Sequence, residues 1–292
     1  MAFPASELIT TKAGAVYHLN LLPEQIAPTI FLVGDPDRVP QVSRYFDAVW
    51  YRVHHREFIT HTGMLQGMPV SVVSTGIGTD NIDIVINELD ALFNIDLIHR
   101  EIKEQLTSLR LIRLGTSGAL RADIEVDSLV CSSMGLGLDG LMPFYQYPSS
   151  SKETEMLQSF RAYLPEIEHC AIPVFFEGSD ELMQLINTDG KMRSGITLTC
   201  AGFYAPQGRK LRYQPSIVDL PLRVGGFEHA HEQVTNFEME TAGIYGLARL
   251  LGHQALSVNA IIANRITGQF SNNPQETIDL LIRTVLSRLN QA

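Results

Sequence analysis

The chain has 292 residues, a formal net charge of −10 and 45% hydrophobic content, enough to bury a sizeable core as one large α/β domain or two small ones. That charge argues against a nucleic-acid or anionic-membrane surface, because both are bound through clustered Lys and Arg. No run approaches the ~18 apolar residues of a membrane helix, the opening residues lack a signal-peptide core, and three scattered cysteines form no Cys-x-x-Cys, so a reduced, intracellular protein is expected.

In chain order, Ala15 to Asn20 carries His18 in a polar-flanked segment that reads as an extended arm. Thr29 to Gly34 is a buried-strand run that breaks into Asp35-Pro-Asp-Arg38. Val39, Val42 and Phe46 then repeat at helical spacing, with Asp35 or Asp37 to cap the helix and Pro36 in its first turn. A strand, a glycine, a helix start and an arginine make a candidate anion site. Val53 to Gly63 alternates as a strand and returns through Gln66-Gly-Met-Pro to another at Val70 to Ser74. Thr75 to Asn81 is a glycine turn onto a helix bearing Ile82, Val85, Ile86, Leu89 and Leu92, with Asp80 or Asn81 as cap. A second, solvated helical piece with Ile98, Ile102 and Leu106 is expected next.

Leu111 to Leu120 is an apolar run that delivers Arg113, Thr116 and Ser117 between Gly115 and Gly118. A glycine turn closing an ordinary strand and an anion site are both consistent with it. The spacing fits neither a nucleophile elbow nor a P-loop. Val126 to Ser132 reads as a strand entering Gly135-Leu-Gly137-Leu-Asp-Gly140. That stretch satisfies the dinucleotide glycine pattern but is followed by a proline-bounded aromatic loop rather than a helix, so a cofactor turn is rejected. Helix at 151–164, strand at 171–176, helix at 179–186 and strand at 195–200 continue the alternation of an α/β fold. Gly202 to Arg209 is a loop presenting Phe203, Gln207 and Arg209, types suited to stacking on and bonding to a base edge. The cluster Glu228-His-Ala-His-Glu232 carries little weight as a metal site in so charged a stretch. A long helix is expected from Asn236, with Glu238 and Glu240 in its first turn on different sides. Ala255 to Ala263 is the last strand, ending in Asn264-Arg265. The final helix has Asn273 as cap, Pro274 first, Glu276 completing a capping box, and Ile278, Leu281, Ile282, Val285 and Leu289 facing the core.

Taken together, these residues resemble the nucleoside phosphorylase family, and within it the uridine phosphorylases. The matches run from residue 16 to residue 265: Val-Tyr-His18-Leu, Gly34-Asp-Pro-Asp-Arg38-Val, His55-Arg56-Glu-Phe, Ser74-Thr-Gly-Ile-Gly78, Arg113-Leu-Gly-Thr116-Ser-Gly, Phe203 to Arg209, Phe237-Glu-Met-Glu240 and Asn264-Arg265. The resemblance implies a single-domain, three-layer α/β fold over 1–292, with a mixed, twisted central sheet partly closed into a barrel and flanked by helices. Residues 1–28 would form an arm at a subunit interface. It implies a cytoplasmic pentosyltransferase that cleaves uridine with phosphate to uracil and ribose 1-phosphate, through a site shared between copies of a homo-oligomer.

Residue by residue, the resemblance places phosphate on Gly34, Arg38, Arg113 and Thr116, with Arg56 supplied by a neighbouring copy. It places ribose on Glu238, Met239 and Glu240, with His18 of a neighbour, and uracil on Phe203, Gln207, Arg209 and Arg265. Arg38, Arg113 and Arg265 would act in catalysis. Phosphate is the co-substrate, no metal or organic cofactor is implied, and a monovalent cation near Glu57 and Ile77 is an open question. The purine branch protonates its base with an aspartate after the last strand, whereas Ala263-Asn-Arg265-Ile has no acid there. A purine or methylthioadenosine phosphorylase, a phosphate-independent nucleosidase and a silent nucleoside-binding relative are the alternatives. Departures from the family pattern are Val33, Thr79-Asp80-Asn81, Ala205-Pro206 and a long insert at 94–108.

Overall fold

A computed structural model describes residues 2–289. They group into two compact units: the chain up to Ile112 with Leu247–Gln254, and Arg113–Gly246 with the chain from Ala255 onward.

In the first unit, β1 (Thr29–Val33), α1 (Arg38–Ser43), β2 (Ala48–His55), β3 (Phe58–Leu65) and β4 (Met68–Ser74) build a sheet in the order β1-β4-β3-β2. β1 and β4 are parallel and the other pairs antiparallel. All five residues of β1 are buried, as expected of a strand covered on both faces, while the edge strand β2 is largely exposed. α2 (Thr79–Asn94) buries Ile82, Val85, Ile86, Leu89 and Leu92, the stripe its spacing predicts. Its cap is Gly78, at φ 96°, and not Asp80 or Asn81: the turn needs a left-handed residue, so the helix starts two positions early. At α1 neither aspartate caps by its side chain. Asp35 Oδ1 accepts the N–H of Asp37 at 2.9 Å, a local turn that leaves Pro36 ahead of the helix.

Two further expectations fail here. The arm is folded in: Val16, Leu19 and Leu21 are buried, and Val16 N–H donates to Leu21 O. The insert is not helical. β5 (Ile95–Asp96) and β6 (Glu101–Ile102) form a small antiparallel pair, because Asp96 Oδ1 accepts the N–H groups of Ile98 and His99 and fixes a turn. Ile98, Ile102 and Leu106 are exposed, so their spacing never met a core.

The second unit holds most of β7 (Arg110–Ala119), then β8 (Leu129–Leu138), α3 (Ser151–Tyr163), β9 (Val174–Glu177), α4 (Asp180–Ile186), β10 (Arg193–Cys200), α5 (Leu220–Gly225), β11 (Glu228–His229), β12 (Glu232–Glu238), the start of α6 (Thr241–Leu250), β13 (Gln254–Asn264), β14 (Gln269–Phe270) and α7 (Pro274–Arg288). Its strands run β11-β12-β10-β8-β13-β7, and β12 also pairs with β7, so five of them close into a barrel. The sheet is mixed, with β10 parallel to both β8 and β12 and β13 antiparallel to β8. α3 is fixed by a complete capping box between Ser150 and Glu153, and its Met156 and Phe160 pack with Phe175, Phe227 and Phe237. Burying one such side chain contributes ~1.5–3 kcal/mol.

Three expectations change in this unit. The glycines of β7 are not a turn; the strand runs through them to Ala119. The region from Asn236 is not helix: β12 extends to Glu238 and α6 starts at Thr241. α7 begins after Asn273 without a side-chain cap, and the Asn273 amide donates to Glu276 at 3.2 Å in place of a capping box. The glycine pattern at 135–140 is no cofactor turn, since Gly135 and Gly137 lie within β8. A Cβ on Gly135 would come within 2.8 Å of Ala242 Cα, so the bare backbone lets the start of α6 lie directly on the strand.

Candidate active site

In the first unit, Val33 and Ser74 end β1 and β4 side by side, and Thr75 N–H donates to Val33 O at 2.8 Å. Gly34 and the Thr75–Gly78 turn therefore meet at the carboxyl ends of two parallel strands, where ligands of open α/β sheets bind. A Cβ on Gly34 would touch Gly76 O at 3.4 Å. Arg38, the first residue of α1, is buried despite its charge. A second cluster joins the His18 and Arg56 motifs. Glu88 accepts the N–H groups of His18 and Leu19 at 2.9 and 2.8 Å and meets His18 Nδ1 at 2.6 Å. His55 Nδ1 donates to His18 O at 2.8 Å, and the Arg56 guanidinium lies 5.5 Å from the Tyr17 ring centre.

In the second unit Arg113 is buried against two carboxylates. Its Nη2 contacts Glu240 Oε2 at 2.5 Å and Glu238 Oε2 at 3.1 Å, and its Nη1 donates to Asn259 Oδ1 at 2.7 Å. The two glutamates thus converge on one cation instead of pointing apart, since Glu238 closes a strand and Glu240 precedes the helix. Burial works against the Arg113 charge, but Glu238 and Glu240 outweigh it and raise its pKa. Burial likewise pushes the Glu238 carboxyl up, opposed first by Arg113. Glu238 also accepts the Thr199 hydroxyl at 2.7 Å and the N–H groups of Glu240 and Thr241, which fastens the start of α6 to it. Met239 between them is half-buried, as is Thr116 on β7.

The base-loop residues gather around Phe237. The Arg209 guanidinium lies 3.6 Å from the Phe203 ring centre and donates to Phe203 O at 2.5 Å and to the Gln207 side-chain oxygen. Arg265 N–H donates to Ala119 O, and its Nη1 to Gln207 O at 3.3 Å. Both guanidiniums lie over the Phe237 ring, at 5.6 and 5.7 Å, and that ring rests on Gly118, where a Cβ would be 2.8 Å from it. Burial lowers the pKa of both arginines, and Arg265 adds repulsion at Arg209. Among the described residues neither pairs with a carboxylate. Two such cations beside an amide and an aromatic face suit a planar, electron-rich heterocycle that gains negative charge. Asn264 is used within its own turn, donating to Arg121 O and Ile124 O and accepting from Ile266 and Thr267.

The Glu228–Glu232 cluster is divided among different partners: His229 meets Glu155 and Ser159, and Glu232 meets Lys152. Sequence reasoning missed Asn259, Thr199 and Phe237 as parts of the site. A signal for Asn259 existed in the polar alternation Ser257-Val-Asn259 inside an otherwise apolar strand.

The sequence profile described as the phosphorylase superfamily matches residues 28–288. A uridine phosphorylase of Thermococcus kodakarensis is 32% identical over 274 residues, covering 92% of this chain and 84% of that protein. The uridine phosphorylase of Escherichia coli is 27% identical, covering 88% of this chain and 89% of its own. A Trypanosoma brucei nucleoside phosphorylase whose crystal structure is described as showing uridine phosphorylase activity superposes with a TM-score of 0.88 at 27% identity, covering 98% of this chain and all of its own.

Proposed function

Because the chain belongs to the phosphorylase superfamily, we propose that it is a uridine phosphorylase, a pentosyltransferase that converts uridine and phosphate to uracil and ribose 1-phosphate. The observation that carries the choice of base is the pair Arg209 and Arg265 beside Gln207 and Phe203, with no acid in the turn that follows the last barrel strand.

The reaction breaks the C1′–N1 bond and forms a C1′–O bond to phosphate, and the proton of hydrogen phosphate ends on the departing base. Positive charge builds at C1′ while negative charge builds on uracil. Arg209, Arg265 and the Gln207 amide stabilise the leaving uracil, and the Phe203 ring packs on it. In the second unit Arg113 and Thr116 serve the phosphate, which needs no general base to act as nucleophile, and in the first unit Gly34 and Arg38 offer phosphate contacts of the same kind. Met239, Glu238 and Glu240 serve the ribose, with the two carboxylates also setting the charge and aim of Arg113.

His18 and Arg56, held together by His55 and Tyr17, serve the site of a neighbouring copy, with the arm at 1–28 lying at that interface. The working enzyme is then a homo-oligomer. The buried, unpaired Cys131 and Cys200 suit a reducing cytoplasm. No helix among the described residues is long and apolar enough to cross a membrane.

The deciding experiment incubates the protein with uridine, with and without phosphate, and follows free uracil and ribose 1-phosphate. Uracil release that requires phosphate is expected. Release without phosphate would make the protein a hydrolase, and turnover of inosine but not uridine would overturn the base assignment.

A further inference from the structure

Given the phosphorolysis proposed above, the geometry points to Asn259 as the positioning residue that fixes the Arg113 guanidinium, with Gly115 providing the slot that admits the contact. A guanidinium offers five N–H donors. At Arg113 the Nη2 edge goes to Glu240 and Glu238 at 2.5 and 3.1 Å, and Nη1 goes to Asn259 Oδ1 at 2.7 Å and, more weakly, to Ser257 Oγ at 3.5 Å. Nε has no partner among the described residues and is the donor left for an anion. Two carboxylates gripping one nitrogen leave the plate free to swing about that nitrogen. Asn259, much the shorter of the two contacts at the other terminal nitrogen, sets its plane and so aims Nε.

The orientation of Asn259 is itself determined. Its Nδ2 donates to Ser257 Oγ at 3.2 Å and Ser132 Oγ at 3.4 Å, so a flipped amide would set NH2 against the guanidinium and lose both bonds. Ser257 is anchored in turn by the Thr241 hydroxyl at 2.9 Å and by Tyr245 Oη, which accepts the Ser257 N–H at 2.8 Å. The slot is sterically explicit: a Cβ on Gly115 would lie 1.8 Å from Arg113 Nη1 and 2.7 Å from Asn259 Oδ1.

The neutral amide also matters for charge. The cluster already sets two carboxylates against one cation. A third carboxylate would make the same hydrogen bond but place one more negative charge beside an incoming phosphate dianion. Asn259 therefore aims Arg113 without weakening its attraction for an anion.

The test compares wild type with Asn259→Ala and Asn259→Asp, measuring KM and kcat separately for phosphate and uridine, the affinity for inorganic phosphate by calorimetry, and the thermal midpoint. A hydrogen bond to a charged group corresponds to roughly a tenfold to hundredfold change in affinity. Asn259→Ala should raise the phosphate KM by about that factor while the uridine KM moves little. Asn259→Asp should lower the thermal midpoint at pH 8, because it buries a further carboxylate, and should lose more phosphate affinity than Asn259→Ala, regaining both as falling pH neutralises the new carboxyl. If the alanine variant fails to fold, the aspartate variant alone decides. Wild-type phosphate affinity in the aspartate variant, or parallel losses for uridine and phosphate that track the thermal midpoint, would overturn the inference. A wild-type protein that binds phosphate without cleaving uridine would refute the proposed function, while the phosphate affinities of the variants would still test Asn259. A wild type that binds no phosphate would overturn both.

Discussion

Replacing Arg113 with alanine should destabilise the protein in a pH-dependent way. Glu238 and Glu240 are only 4% and 5% exposed, and both face the Arg113 guanidinium. Removing one partner of a buried ion pair costs about 3–5 kcal/mol because the remaining charge stays buried and uncompensated. At ~2–4 °C per kcal/mol for a chain of this order of size, the thermal midpoint should fall by roughly 10 °C. The Glu238 carboxyl is already pushed up by burial and restrained chiefly by Arg113. Without the arginine, repulsion from Glu240 persists and the folded-state pKa climbs further above the unfolded value of ~4.3. A folded state that binds the proton more tightly gains stability as pH falls. The deficit should therefore be largest at pH 8, shrink as pH drops through the raised folded pKa, and level off below the unfolded one. Urea unfolding of both proteins at pH 8, 6.5 and 5 measures this, and Glu238→Gln in the Arg113→Ala background should recover part of the loss at pH 8. A deficit that is the same at all three values would refute the account of two carboxylates held by one cation. Phosphate-dependent turnover near wild type in the variant would refute the role of Arg113.

Gln207→Ala should raise the KM for uridine about tenfold and leave that for phosphate within a factor of two, as loss of a ligand hydrogen bond requires; equal changes in both constants would count against a base contact. Gly118→Ala places a methyl 2.8 Å from the Phe237 ring, which must tilt under Arg209 and Arg265, so uridine affinity should fall while far-UV circular dichroism stays unchanged. Cys170 is exposed, Cys131 and Cys200 are buried, and burial pushes the Cys131 thiol up to about 12. A small disulfide reagent should therefore titrate one thiol quickly in native buffer and three in denaturant, and three fast thiols in native buffer would contradict this packing.

What could be read from the sequence was local. β1, α3, α4 and the core stripe of α2 follow from residue patterns that lie within a few positions of one another, and the structure adds Ser150 and Ser179 as equally local caps of α3 and α4. The base loop and Asn264-Arg265 were visible as residue types on loops. What failed depended on partners far along the chain. β12 carries buried Thr235, which donates to Ile196 O, Asn236, which bonds to Thr197 and Ser117, and Glu238, which accepts from Thr199, so its polarity resembles a solvated helix start although it is buried. Gly115 and Gly118 looked like a turn because their reason for being bare is an arginine folded back on one and a phenylalanine resting on the other. The insert at 94–108 has apolar residues at helical spacing, but Asp96 captures the backbone that a helix would need.

The barrel closes through two paired positions, Asn236 with Ala119 and Phe237 with Gly118, reinforced by Leu120 N–H to Thr235 O at 2.9 Å. These partners are 117 and 119 positions apart in sequence, so the ends of a long loop must meet before Phe237 can rest on Gly118 or Glu238 can reach Arg113. Trp50, the sole tryptophan, lies on β2 in the first unit, whose antiparallel pairs join neighbouring strands. When the chain refolds from urea, tryptophan emission should regain its native value before uridine cleavage returns. Over that interval the population is native by fluorescence and silent as an enzyme; the part of the lag that shortens with protein concentration belongs to association of the copies, and the part that does not measures how long the ring takes to close.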